Sequence, residues 1–183
     1  MTACHFLLKH RLTTTLAKKK SYWPEQFKNL VTEDMAPYWH HFDLRPVTNL
    51  NDEGLAYVLS RVKGIYMLDL NETEVTDAGI KVLPQLEYIN ELRMKGLRGV
   101  TDAGMEDLNR VKGLTFLHLK NTSVTIDGLL KLDALTGLTT LMFSDDEKED
   151  ISAKMLQLKA MMPHCQFVVN SKPYYFDEPG WPV

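Results

Sequence analysis

Apolar residues return along this chain at spacings that fit two elements in alternation. Leu55, Ile80, Met105 and Leu129 form one column, and Val58, Leu83, Leu108 and Leu132 form another three residues on, which predicts a helical face. Leu68, Leu92, Leu117 and Leu141 are each followed two residues later by Leu70, Met94, Leu119 and Phe143, with mostly polar residues between. That alternation predicts short, half-buried strands. Four segments align on one glycine: "LNDEGLAYVLSRVKGIYMLDL", "VTDAGIKVLPQLEYINELRM", "VTDAGMEDLNRVKGLTFLHL" and "VTIDGLLKLDALTGLTTLMF". Gly54, Gly79, Gly104 and Gly128 follow one another at 25, 25 and 24 residues, a repeat period. Asn51, Thr76, Thr101, Thr125 and, in a fifth unit, Ser152 are placed to cap the helix starts, because their side-chain oxygens can accept a free backbone N–H there. No single unit can bury its apolar columns alone, so the units must stack.

The recurrent pattern L-x-L-x-x-T-x-V-T-D-A-G-L resembles leucine-rich repeats of the ribonuclease-inhibitor and cysteine-containing types, over roughly Phe42 to Val169. The resemblance implies an α/β fold, a short right-handed solenoid with a parallel concave sheet and convex helices. The chain departs from the commoner pattern where an asparagine usually stands, carrying Thr73, Leu97, Thr122 and Asp146 instead.

Flanking segments read as caps. Residues 1–22 are a basic leader or arm, 23–46 an N-terminal cap, 47–170 the repeats, and 171–183 a Pro/aromatic tail. "WPEQFKNLVTEDM" offers Pro24 at a helix start and Phe27, Leu30 and Val31 as its apolar face, and "HHFDLRPV" an irregular first strand with Phe42 and Leu44 inside. In "ISAKMLQLKAMMPHCQFVV" a fifth helix and strand are expected, with Cys165 and Phe167 in the core columns. The tail "NSKPYYFDEPGWPV" is too rich in proline for a regular element, and its aromatics are expected to fold back over the last unit.

Charge changes the picture at one end. The chain carries −3 overall, yet Met1 to Pro24 holds Lys9, Arg11, Lys18, Lys19 and Lys20 and no acid. Such a segment is either a solvated basic arm or a mitochondrial-type targeting peptide, so the expected location is cytoplasmic or mitochondrial, and not secreted. No stretch approaches the ~20 apolar residues of a membrane span. Two cysteines, Cys4 and Cys165, are too few for a disulfide framework.

Candidate chemistry lies in the residues that alternate with the core leucines. Unit by unit these are His41, Asp43 and Arg45; Met67, Asp69 and Asn71; Glu91, Arg93 and Lys95; Phe116, His118 and Lys120; Thr140, Met142 and Ser144; and His164, Gln166 and Val168. Arg, aromatic residues and Met are enriched at protein interfaces. The predicted partner-binding set is therefore Asp69, Glu91, Arg93, Lys95, Phe116, His118, Lys120 and Met142. The histidines are too scattered for a metal site, and "SDDEKED" lacks the alternating ligands and central glycine of a calcium loop. Neither a cofactor nor a nucleophile with its base is evident, and no nucleic acid is expected from three cations on a chain of pI near 6.1.

The expected function is a non-catalytic protein–protein interaction scaffold that binds a partner through the concave sheet face and the tails. Its alternative is a structural or assembly subunit of a large mitochondrial membrane complex, resembling the coupling factor B-like leucine-rich repeat proteins of ATP synthase. A third reading is a substrate adaptor.

Overall fold

The computed structural model describes residues 35–145 and 150–176. The basic leader, the predicted helix around Phe27 and Leu30, most of the acidic loop and Trp181 lie outside the described residues. Seven strands form one sheet in chain order: β1 (Tyr38–Asp43), β2 (Gly64–Asp69), β3 (Tyr88–Arg93), β4 (Phe116–Leu119), β5 (Thr140–Phe143), β6 (Gln166–Val169) and β7 (Lys172–Pro173). The first six pair in parallel, and β7 turns back antiparallel to β6. Between them run α1 (Asp52–Leu59), α2 (Asp77–Ile80), α3 (Met105–Leu108), α4 (Ile126–Leu129) and α5 (Ser152–Met161), with a 3₁₀ turn at Leu83–Gln85. The fold class is thus α/β, with an open, mostly parallel sheet.

Both predicted helix columns are interior, since Leu55, Ile80, Met105 and Leu129, like Val58, Leu83, Leu108 and Leu132, are 0% exposed. Phe42, Leu68, Leu92, Leu117, Leu141 and Phe167 stand opposite one another across six strands and form the matching sheet-side layer. Three of the helices are a single turn, and Pro84 falls in the 3₁₀ turn where α2 could have continued. Their order therefore comes from burial and from their ends rather than from helix propensity.

Those ends explain the repeated Thr-Asp-x-Gly. Thr76 donates its backbone N–H and its hydroxyl to the two oxygens of Asp52, each at 2.7 Å. Thr101 does the same to Asp77 at 2.8 and 2.6 Å, and Thr125 to Asp102 at 2.8 and 2.7 Å. Each threonine oxygen in turn accepts the next free N–H, from Ala78, Ala103 or Gly128. A Cβ at Gly79 or Gly104 would sit 2.5 Å from the carboxylate of Asp52 or Asp77, and one at Gly128 would crowd Asp102 more closely still. Thr76 and Thr125 cap their own helices, whereas Thr101 closes the turn ahead of α3, which starts at Met105 after Gly104 with no side-chain cap; aspartate grips the following unit's threonine, and glycine leaves room for the grip.

Thr73 and Thr122 solve their turns locally. Thr73 and Thr122 each donate a hydroxyl hydrogen to the carbonyl three residues back, Leu70 or Leu119, at 2.8 Å. One position earlier the backbone turns left-handed, at Glu72 (φ 59°), Gly96 (φ 82°) and Asn121 (φ 58°). A left-handed residue thus follows β2, β3 and β4 at the same place.

Four expectations need correction. The first strand is regular, pairing with β2 from Tyr38 to Asp43, because Phe42 and Leu44 fill the same buried columns as later leucines. In the last unit the register differs by two residues: Phe167, not Cys165, faces Leu141, and Val169 faces Phe143. His164 consequently precedes the strand, exposed, and Gln166 takes the row assigned to it. Ser152 is the first helical residue and not the cap; Asp150 accepts its N–H at 2.8 Å, and the Ser152 hydroxyl and then this N–H hold the Asp150 carboxyl below its usual range. Finally, the tail does contribute a strand, β7, but a two-residue one at the sheet edge, where Pro173 has no N–H to offer.

Candidate functional site

The sheet face away from the helices carries the predicted binding residues in register. One row reads His41, Met67, Glu91, Phe116, Thr140 and Gln166, and the next Asp43, Asp69, Arg93, His118, Met142 and Val168. Lys95 and Lys120 follow two residues beyond Arg93 and His118. The parallel ladder, with strands ~4.8 Å apart, brings all eight predicted residues onto four adjacent strands or their immediate ends.

Phe116 organises the centre. The Arg93 guanidinium lies 5.5 Å from its ring centroid, and the His118 ring meets it edge-on at 6.4 Å. Arg93 also donates from one terminal nitrogen to Glu91 at 3.1 Å, and Lys95 pairs with Glu72 at 3.1 Å. Lys120 donates to Ser171 in the turn before β7. Burial pushes the His118 imidazole below its ordinary pKa, and Lys95, Arg93 and Lys120 push it further, against a weaker opposing pull from Asp69. His118 is therefore a neutral ring in a positive field at pH 7.

Asp69 occupies the predicted row but offers little surface, being 2% exposed. Its carboxylate accepts the Asn71 N–H at 3.0 Å and lies 3.4 Å from Arg45 Nε. Arg45 makes a two-pronged pair with Asp43, at 2.9 and 2.7 Å, which lowers the Asp43 pKa. The β1–β2 side of the face is thus a closed acid–arginine network. Towards β4 and β5 the outward residues Phe116, His118, Lys120, Thr140, Met142 and Ser144 include no carboxylate.

Two further groups lie at the ends of the sheet, the first of them not anticipated. Tyr38 and Tyr88 stack in parallel at 6.3 Å across Gly64, where a Cβ would strike the Tyr88 ring at 2.5 Å, and His40 stacks on Tyr66 at 4.8 Å. They border an open groove of about 370 Å³. Gly64 was the signal in the sequence, since a glycine inside a strand marks a close neighbour. At the other end Phe176 meets Phe167 at 5.9 Å and Tyr174 at 5.0 Å, so the described part of the tail does fold back. A groove of about 500 Å³ remains there, beside exposed Leu156 and Tyr175. Cys165 lies under it as a buried thiol, pushed up to about 12 by desolvation.

Among the described residues no three of His, Cys, Asp and Glu are grouped as ion ligands, and no helix is long and apolar enough to cross a membrane. No protein-family model matches the chain, and no curated protein matches it.

Proposed function

We propose that the chain is a short leucine-rich repeat solenoid that acts as a non-catalytic protein-binding scaffold, with the outward sheet face as its concave binding surface. The observation that carries this reading is the half-buried cluster of Arg93, Phe116, His118 and Met142 on paired strands. These residue types anchor interface hot spots, and here a stiff sheet fixes them before any partner arrives, which lowers the ordering cost of binding. The test is affinity purification from the native cells with mass spectrometry, beside the Arg93→Glu, His118→Ala double variant. A partner set lost only in the variant is the expected result. An unchanged partner set would reject the face as the site.

The exposed apolar surface around Leu156 and Tyr175 favours a second reading. A structural or assembly subunit, of the kind found in a large mitochondrial membrane complex, would be held by such an end surface. Stoichiometric co-purification that survives the double variant but is lost in Leu156→Glu would select it.

A further inference from the structure

Arg93 Nε and His118 Nε2 are buried yet have no hydrogen-bond partner among the described residues. Native interiors seldom leave such atoms unpaired, and each instance calls for a physical reason. The two belong to directly paired residues, Arg93 on β3 and His118 on β4, so their side chains leave the same face one strand spacing apart. From this juxtaposition we propose that the Arg93–His118 pair receives a carboxylate from an acidic segment of a protein partner. The inference rests on the reading of this face as a binding surface and names the chemistry that it takes.

For Arg93 Nε the missing group must be an acceptor, and one acceptor serves both nitrogens when His118 carries its hydrogen on Nε2. Arg93 Nε carries a hydrogen and cannot accept, and an imidazole Nε2 donates once its tautomer or its charge allows. Glu91 holds one terminal nitrogen of Arg93 and Phe116 lies against its guanidinium; because Arg93 Nε and His118 Nε2 are covered from solvent, receiving the carboxylate takes a side-chain rotation that uncovers them. Charge at His118 points the same way: Lys95, Arg93 and Lys120 act on its ring together against Asp69, although Glu91 and Glu72 already pair with Arg93 and Lys95. An arriving anion would relieve that excess.

Asp69 and Glu91 flank Arg93 on its own row or strand and repel any anion, so the carboxylate is held by hydrogen bonds to the two nitrogens and by the peptide around it rather than by net charge alone. The source is a peptide because the site lies on an open strand ladder between Phe116 and Met142. Those side chains can hold the residues on either side of an acidic one, whereas a free small acid would find little to enclose it.

The test is an NMR titration of the isotope-labelled full chain with an acetylated, amidated hexaglutamate peptide, beside hexaglutamine and inorganic phosphate. Hexaglutamate should shift the Arg93 Nε–H resonance and raise the titration midpoint of the His118 ring, while the other two should do neither. Arg93→Gln should weaken hexaglutamate binding about tenfold or more, as loss of a charge-assisted donor predicts, with Tm unchanged, and Lys81→Gln should leave it intact. No shift with hexaglutamate, equal shifts with hexaglutamine or phosphate, or equal binding by Arg93→Gln would each overturn the proposal. A photo-crosslinker at position 116 separates the two readings. Capture of the native partner there, with hexaglutamate inert, would refute the carboxylate and keep the binding face. Co-purification without crosslinking would refute the face itself.

Discussion

The chain holds two polar networks that treat their hydrogen bonds in opposite ways. At the helix starts Asp52, Asp77 and Asp102 each accept two bonds from the next unit's threonine, and the threonine oxygens are used again as caps. On the outward sheet face Arg93 and His118 each leave a buried nitrogen unpaired. A satisfied network stabilises the chain that contains it, while an unsatisfied one stores affinity for something else. The first is built from short side chains that reach only their neighbours. The second uses Arg, His and Lys, whose reach extends beyond the fold.

The contrast can be broken or sharpened by substitution. Leu117→Ala, which undercuts the core beneath the face, should cost about 2–5 kcal/mol in urea unfolding; a negligible cost would show the strand register to be wrong. Asp102→Ala should cost about 1–3 kcal/mol, because it strands the Thr125 N–H and hydroxyl. In that background Gly128→Ala should be milder than in the parent chain, since the carboxylate that a new Cβ would strike is gone. A double-mutant cycle with no coupling would separate the glycine from the aspartate.

His118 adds a pH-dependent test. Its folded pKa lies below the unfolded value near 6.5, so the unfolded chain binds the proton more readily. Stability tied to the neutral ring is complete above that value and is lost as pH falls through it towards the folded pKa. His118→Gln should therefore gain Tm relative to the parent on moving from pH 7.5 to pH 5, and a constant difference would contradict the burial argument. The smallest effect is expected from Arg93→Gln, within about 0.5 kcal/mol of the parent's stability, as for an ordinary surface change. A large loss there would make the face structural after all.

The apolar columns were legible because burial alone dictates them: every residue of the two helix columns and of the aligned strand leucines lies inside. Thr76 and Thr125 were legible as caps for a local reason, since their bonds reach only two or three residues. The partner of each aspartate lies 23 or 24 residues further on, and no local pattern specifies it. In the last step both partners are replaced, Ile126 standing in the aspartate column and Ile151 in the threonine column, and the neighbouring Asp127 pairs with Lys154 at 2.9 Å; the two-residue register change in β6 follows a lengthened loop. Alternation placed Asp69 on the correct face but could not reveal that Arg45, from the preceding strand's end, approaches its carboxylate. The eight proposed binding residues were readable as a set. Which of their atoms remain unused was not, because that depends on rotamers rather than on spacing.

The short β7 has a consequence for how the molecule behaves in company. A parallel ladder has no intrinsic end, and its last strand presents a row of unpaired amides and carbonyls on which another extended chain could grow. In this protein Lys172 and Pro173 lie across that row in the reverse direction, one bringing a charge and the other lacking the donor that a further strand would need. Cationic and proline residues are the usual guards of exposed sheet edges against aggregation. Two residues thus act as a stop for sheet growth, and chains truncated before Lys172 should be the ones that form fibrils.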